Sequence, residues 1–249
     1  MNNKLKSVEL FLALGLATTV GVSALSSVDA GELEEVRGTP QLIAQGGEGG
    51  EGGEGGGELS PGEQANADFQ DKLSGAELLS ALQEGGHVIY FRHAQTEKDY
   101  ADQVSADVND CSTQRTLSEV GWEQSLAIAE GFETNSIPVG NVVSSEYCRA
   151  WQTAQIAFGR YEKNPALNFL PFEDYTDEQV AEMKANVMPL LTAVPESGTN
   201  TVIVGHDDIF ESATGIYPDP QGIAYVVTPD GNGGMEIIAN MLPEEWSQL

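Results

Sequence analysis

Two histidines in this chain each follow an apolar run that ends in a loop. Phe91-Arg92-His93-Ala94-Gln95-Thr96 closes the run Val88-Ile89-Tyr90-Phe91, and Val204-Gly205-His206-Asp207 closes Thr201-Val202-Ile203-Val204. The 249 residues hold three His and eleven Lys plus Arg, so cationic groups at both strand ends point to a pocket for a phosphate group. Phosphoryl transfer needs a nucleophile, cations on the equatorial oxygens and a proton donor for the leaving group. Neutral histidine can attack and form a phosphohistidine, and the planar arginine fork gives phosphate two parallel hydrogen bonds. Residues 76–249 contain seven cations, Arg92, Lys98, Arg115, Arg149, Arg160, Lys163 and Lys184. Arg92 and Arg149 are the candidates for the phosphate arms.

The elements that must position these groups alternate in type. Ser74-Gly75-Ala76-Glu77 reads as a capping box opening a helix through Gln83. A strand over 87–91 follows. Leu117-Ser118 opens a helix with Leu126, Ala129 and Phe132 at helical spacing. Val142-Val143-Ser144 is a second strand, and residues 149–158 form a helix ended by Gly159. Thr176-Asp177-Glu178-Gln179 is another capping box, starting a helix whose face carries Val180, Met183, Val187 and Leu191. A strand over 201–204, a short helix over 209–214 and a strand pair over 224–228 and 235–239 complete the chain. The pattern predicts an α/β fold, a single three-layer domain with a mostly parallel central sheet and helices on both faces. Ligands in such sheets bind beyond the carboxyl ends of the strands, so Arg92-His93, Ser145 to Arg149 and His206 are predicted to share one rim.

Composition bounds the setting. The formal charge is −28, which argues against nucleic acid or an anionic membrane surface as partner. Lys4 and Lys6, the apolar stretch over 10–25 and Val28-Asp29-Ala30 read as a signal peptide over 1–30, giving an exported, periplasmic or extracellular protein with no stable membrane insertion after cleavage. An uncleaved anchor is the other reading. Residues 31–73, with the Gly/Glu repeat over 46–57, read as an acidic disordered linker, leaving 74–249 as the catalytic domain. Cys111 and Cys148 are the only cysteines. In an exported chain they make one candidate disulfide.

Taken together and in order, these motifs resemble the histidine phosphatase superfamily, which also contains the cofactor-dependent phosphoglycerate mutases. Arg92-His93-Ala94-Gln95-Thr96 is similar to its first signature, and Leu117-Ser118-x-x-Gly121 to the start of its next helix. Ser144 to Ala150 with Gln152-Thr153-Ala154 is similar to its second phosphate-binding segment, and Val204-Gly205-His206 to its second histidine segment. The resemblance covers about residues 74–249. It implies that His93 is the nucleophile and that Arg92, Arg149 and His206 hold the transferred phosphoryl group, with no cofactor and no metal. For the general acid it leaves Asp207, or Glu173 or Asp174; Asp207 is preferred, and a helix N-cap is its structural alternative. Asp99 stands where many members carry an Asn, and a carboxylate is repulsive beside phosphate. Arg115 is a candidate third cation or a brace of the acidic loop over 100–114.

The function this predicts is a metal-independent phosphomonoesterase acting through a phosphohistidine intermediate on a small phosphorylated substrate. Phosphoglycerate mutase-type transfer and a non-catalytic envelope phosphate-binding protein are the alternatives. Sugar phosphate, phosphoprotein and nucleotide all remain open as substrates.

Overall fold

The apolar run over 88–91 belongs to an interior strand, and its register decides where the chemistry sits. In the computed structural model, strand β1 (Val88–Arg92) is buried at all five positions. It pairs in parallel with β4 (Asn200–Gly205), with Arg92 opposite Gly205. The next residues, His93 and His206, therefore leave the sheet side by side. Strand β2 (Val139–Ser144) lies on the far side of β4, with Ser144 opposite Val204, which brings Ser145 to the same rim. The six strands run in the order β3-β2-β4-β1-β5-β6, where β3 is Glu162–Lys163, β5 Ala224–Pro229 and β6 Met235–Met241. The first four are mutually parallel, and β5 and β6 are antiparallel. The expected mostly parallel α/β sheet is what forms.

The structure describes residues 58–249 apart from 104 and 171–174, and these fall within one unit, Gly46–Leu249. The expected signal peptide over 1–30, the Gly/Glu repeat, Glu173 and Asp174 lie outside the described residues.

Side chains alternate across a strand, so β1 feeds two cores. Ile89 and Phe91 enter one cluster with Ile128, Phe132, Ala150, Ala154 and Trp246. Val88 and Tyr90 enter the other with Met183, Val187, Leu191, Ile209 and Phe210. Helices α2 (Gly75–Glu84), α3 (Glu119–Thr134) and α4 (Cys148–Phe158) supply the first layer. Helices α5 (Asp177–Leu191) and α6 (Asp207–Thr214) supply the second. Each fully buried large apolar side chain contributes about 1.5–3 kcal/mol, which makes this double burial the main force holding the rim in place.

Local expectations fare unevenly. The Thr176 capping box forms, with Gln179 N on the hydroxyl. Ser118 caps α3 through Gly121 N, and Gly159 ends α4 in the left-handed region. Ser74 makes no side-chain cap, because the amides of Glu77 and Leu78 turn to its backbone carbonyl instead. Leu126 is 57% exposed; the buried stripe of α3 is Gly121, Ser125, Ile128 and Phe132, one residue round from the stripe over 126, 129 and 132. Val180 lies on the rim of the α5 stripe at 37% exposure. A further helix, α1 (Pro61–Ala67), stands in the stretch read as linker. It is fixed by Asn66, which accepts from the Tyr225 hydroxyl and donates to Asp219 O.

Candidate active site

Five of the residues singled out from the sequence come together at the carboxyl ends of β1, β4 and β2. His93, Arg92, His206 and Arg149 are all at most 4% exposed, and the two imidazole centroids lie 5.4 Å apart. The fifth, Asp207, opens α6 directly after His206.

His93 is held by both ring nitrogens. Nδ1 lies 2.9 Å from the carbonyl of Ala94, and Nε2 accepts from Nε of Arg149 at 3.1 Å. A carbonyl only accepts and a guanidinium only donates, so Nδ1 carries the proton and Nε2 presents its lone pair. Burial first, then Arg149, His206 and Arg92, push the His93 pKa well below the ordinary value. The ring is neutral at physiological pH. The backbone around it is pinned: Ala94 N donates to Thr153 Oγ1, whose hydroxyl donates to Arg149 O. Gly121 explains its own presence, because a Cβ there would collide with Gln95 O, the atom that receives Ser118 N.

His206 is set by a different pair of contacts. The Tyr90 hydroxyl donates to its carbonyl at 2.7 Å and accepts from its amide at 3.0 Å. Gly205 permits this, since a Cβ there would meet that hydroxyl. The Ser145 hydroxyl donates to Asn168 Oδ1 at 2.8 Å and lies 2.9 Å from His206 Nε2. With its proton committed to Asn168, Ser145 accepts from His206, so Nε2 carries the hydrogen. Phe169 and Tyr147 stand edge-on to the ring. Burial and Arg149 push its pKa well down.

Both arginines are carboxylate-paired. Arg92 reaches Asp207 at 2.5 Å and Asp219 at 3.0 Å, donates to Pro218 O at 2.9 Å and lies over the Tyr217 ring. Its Nε is buried without a hydrogen-bond partner. Arg149 places Nη1 on both oxygens of Asp102, at 3.0 and 2.9 Å. Burial alone would raise the Asp207 pKa, but the Arg92 guanidinium and the Tyr217 hydroxyl outweigh it and hold the carboxyl below the usual range. Burial and the neighbouring Asp207 charge push Asp208 up to about 7, although the Tyr175 hydroxyl bonds it at 3.1 Å.

The remaining candidates divide. Asp207 is the first residue of α6, whose N-cap is His206 with no side-chain cap, and its side chain turns to Arg92 and to Asp208 N. Asp99 is exposed, in a surface pocket that it lines with Glu97, Lys98 and Glu119. Arg115 is half-buried and its positive charge bears on both Arg149 and His206. Cys111 and Cys148 form a disulfide, with Cα atoms 5.7 Å apart. His87, read as structural, sits at the opposite end of β1 against Thr228. The sequence reading missed Asp102, Asp219, Tyr217 and Tyr90. Asp102 is one acid among several in its loop, Tyr90 looks like one more member of an apolar run, and no local pattern marks the other two.

The arrangement offers a neutral imidazole lone pair among fixed cations in a low-dielectric pocket, the condition under which a developing phosphoryl charge is stabilised most. Among the described residues, no group of three or more His, Cys, Asp or Glu is set to hold a metal.

Residues 88–193 match the model of the histidine phosphatase superfamily (branch 1). Solved structures similar to this chain include the protein histidine phosphatase SixA complexed with tungstate, at 19% identity, covering 63% of this chain and 97% of that one, with a TM-score of 0.47. Another is phosphoserine phosphatase from Entamoeba histolytica in complex with 3-phosphoglyceric acid, at 16% identity, 62% and 95% coverage and a TM-score of 0.47. A third is the mycobacterial glucosyl-3-phosphoglycerate phosphatase with VO3, at 16% identity, 64% and 98% coverage and a TM-score of 0.46. No curated protein matches the sequence. The stretch from β1 through α5, residues 88–193, carries the family signature of the histidine phosphatase superfamily.

Proposed function

We propose that the protein is a phosphomonoesterase that works through a phosphohistidine on His93 and needs no metal. The observation that carries this reading is the His93 tautomer: Nδ1 committed to Ala94 O and Nε2 lone pair aligned on Arg149 Nε. In the first step the guanidinium of Arg149 turns from His93 to the phosphoryl oxygens, the Nε2 lone pair thus released attacks phosphorus, the P–O bond to the alcohol breaks, and a proton goes to the leaving oxygen. In the second, water attacks the phosphohistidine and gives its proton back to the carboxylate, the P–N bond breaks, and phosphate and neutral His93 are released. Arg92, Arg149 and His206 stabilise the charge on the equatorial oxygens. The two guanidinium groups supply the positive charge that a divalent ion supplies in other phosphotransferases.

The proton comes from the carboxylates at the start of α6. Asp207 is ionised on Arg92 in the free protein, and Asp208 beside it is the group lifted to about 7. Neighbouring coupled carboxyls share one proton as a pair. A phosphoryl oxygen arriving on Arg92 displaces Asp207, removes its counter-charge and makes it the better proton holder. The Cys111–Cys148 disulfide supports an oxidising location outside the cytosol, in keeping with the signal-like N-terminus. The substrate is a small phosphomonoester.

The test is a phosphatase panel with His93→Ala as control, followed by acid lability of phosphate trapped on the protein. Hydrolysis by wild type, none by His93→Ala, and an acid-labile, base-stable phosphoprotein are expected. Full activity in His93→Ala overturns the reading.

A further inference from the structure

We propose that Asp102 is an internal competitor for the phosphate site, occupying Arg149 until a substrate phosphate displaces it, and that the Cys111–Cys148 disulfide sets how strongly it competes. The proposal rests on the phosphatase reading of the same site.

Asp102 comes from the long segment between β1 and α3. Both of its oxygens lie on Nη1 of Arg149, at 3.0 and 2.9 Å, and Oδ1 also accepts from the Arg115 amide at 2.6 Å. Arg149 Nε is already on His93, so Asp102 takes the next donor of the fork that phosphate would use. The Asp102 side chain is 21% exposed and Arg149 4%, which places the carboxylate on the outer side of the guanidinium. A phosphate dianion and this carboxylate cannot share the pocket, because like charges a few ångströms apart in a largely buried site repel strongly. One must leave, and Asp102 is on the side from which substrate arrives.

The segment is tied to the residue beside Arg149. Cys111, nine positions after Asp102, is bonded to Cys148. Gln114 Oε1 accepts from Cys148 N at 2.8 Å, and Gln103 N donates to Thr113 O at 3.0 Å. Asp102 therefore lies on a short tethered loop. A tether of that length gives a group an effective concentration on the order of millimolar at its target. Opening the disulfide lengthens the free chain and lowers that concentration.

The apparent affinity for phosphate is then the intrinsic affinity multiplied by the fraction of molecules in which Asp102 is off Arg149. Weak anions fail to displace it, while a phosphomonoester held at both arginines succeeds. Asp102 thus acts as a specificity residue that filters ligands by anchor strength. It is not a proton carrier, so its removal changes KM far more than kcat.

The test measures orthophosphate binding by calorimetry on the full oxidised chain, with melting curves as a fold control. Asp102→Asn keeps the acceptor for the Arg115 amide and removes the charge. It is expected to bind orthophosphate about tenfold tighter, within the usual range of coupling between competing contacts, with a matching fall in KM. Dithiothreitol is expected to tighten orthophosphate binding by wild type and to add nothing in Asp102→Asn. Unchanged or weaker phosphate binding by a folded Asp102→Asn protein overturns the competitor role, and no effect of reductant on wild type overturns the tether. If Asp102→Asn fails to fold, Asp102→Ser carries the same expectation and the same overturning result. Hydrolysis with phosphate affinity indifferent to Asp102 rejects this inference alone. No phosphate binding and no hydrolysis in either protein rejects the phosphatase reading as well.

Discussion

Asp207 Oδ2 lies 2.5 Å from Nη2 of Arg92, so the carboxylate that follows the second histidine occupies one of the two arginines that phosphate would use. Asp102 does the same to Arg149. In the free protein each cation of the pocket has an acidic partner, which is how a chain of charge −28 keeps two buried guanidinium groups without stranding their charge.

The pair Asp207 and Asp208 makes the pH profile informative. Asp208 is lifted to about 7 by burial and Asp207, so the shared proton is present below that pH and lost above it. The value of kcat/KM is expected to fall as pH rises through about 7. Asp208→Asn removes the titrating neighbour and is expected to abolish that limb. Asp207→Asn is expected to lower kcat by about 10²–10⁴-fold for an alkyl phosphate, and much less for a nitrophenyl phosphate, whose leaving group needs no proton. An unchanged limb in Asp208→Asn places the proton elsewhere.

Arg149 holds His93 through Nε and Asp102 through Nη1, two nitrogens of one planar fork. Lysine has one point charge and cannot reproduce that. Arg149→Lys is expected to lose about 10²-fold or more in kcat/KM, with little change in melting temperature relative to Arg149→Ala. Steady-state kinetics on both variants check this, and near wild-type activity in the lysine variant disproves it.

Tyr90 links the buried core to the position of His206. Tyr90→Phe leaves the His206 amide and carbonyl without that partner, at a cost of about 1–3 kcal/mol. Denaturant unfolding should show the loss, and kcat should fall because His206 is no longer held. Gly205→Ala drives a methyl against the same hydroxyl and should be at least as destabilising. A Gly205→Ala protein as stable as wild type contradicts the contact.

His93 and His206 are both held neutral by burial. Their folded pKa values lie below the ordinary 6.5, so at acid pH the unfolded chain binds more protons than the folded one. Stability from this source is intact above about pH 6.5 and falls as pH drops through that value. Asp208 works in the opposite sense, since its folded pKa exceeds the unfolded one and its cost is relieved on acidification. His87 works in the same sense as the two site histidines, and the raised carboxyls of Glu211 and Asp219 work in the same sense as Asp208. Between about pH 6.5 and 5, urea midpoints are expected to fall more on acidification in wild type than in His206→Asn, which lacks one of the buried neutral histidines.

Chelation separates arginine-based from metal-based charge neutralisation. Excess EDTA is expected to leave phosphatase activity unchanged, while orthovanadate, which mimics the trigonal phosphoryl group, inhibits it. Loss of activity to EDTA, restored by a divalent ion, overturns the metal-free reading.

Much of the architecture was legible because it is written in short periods. The continuous apolar runs at 88–91 and 201–204 meant strands covered on both faces, and both are interior strands. Thr176, Ser118 and Gly159 marked helix ends through local hydrogen bonding and backbone conformation. Leu126 was placed inward because spacing fixes a stripe without fixing its phase; the close approach of Gly121 to Gln95 sets the phase. Helix α1 was read as linker because its anchor, Asn66 on Tyr225 and Asp219, spans more than 150 residues of sequence.

By itself the sequence determined the element types, the pair of histidine-bearing strand ends and the arginine opening α4, since periodicity, caps and residue chemistry are properties of neighbours in the chain. Tertiary structure alone decided that Arg92 faces Gly205 in register, which nitrogen of His93 carries the proton, and that Asp102 and Asp207 hold the arginines. Those depend on groups that meet across strands and loops, where sheet register and side-chain competition for a few buried donors choose the partners.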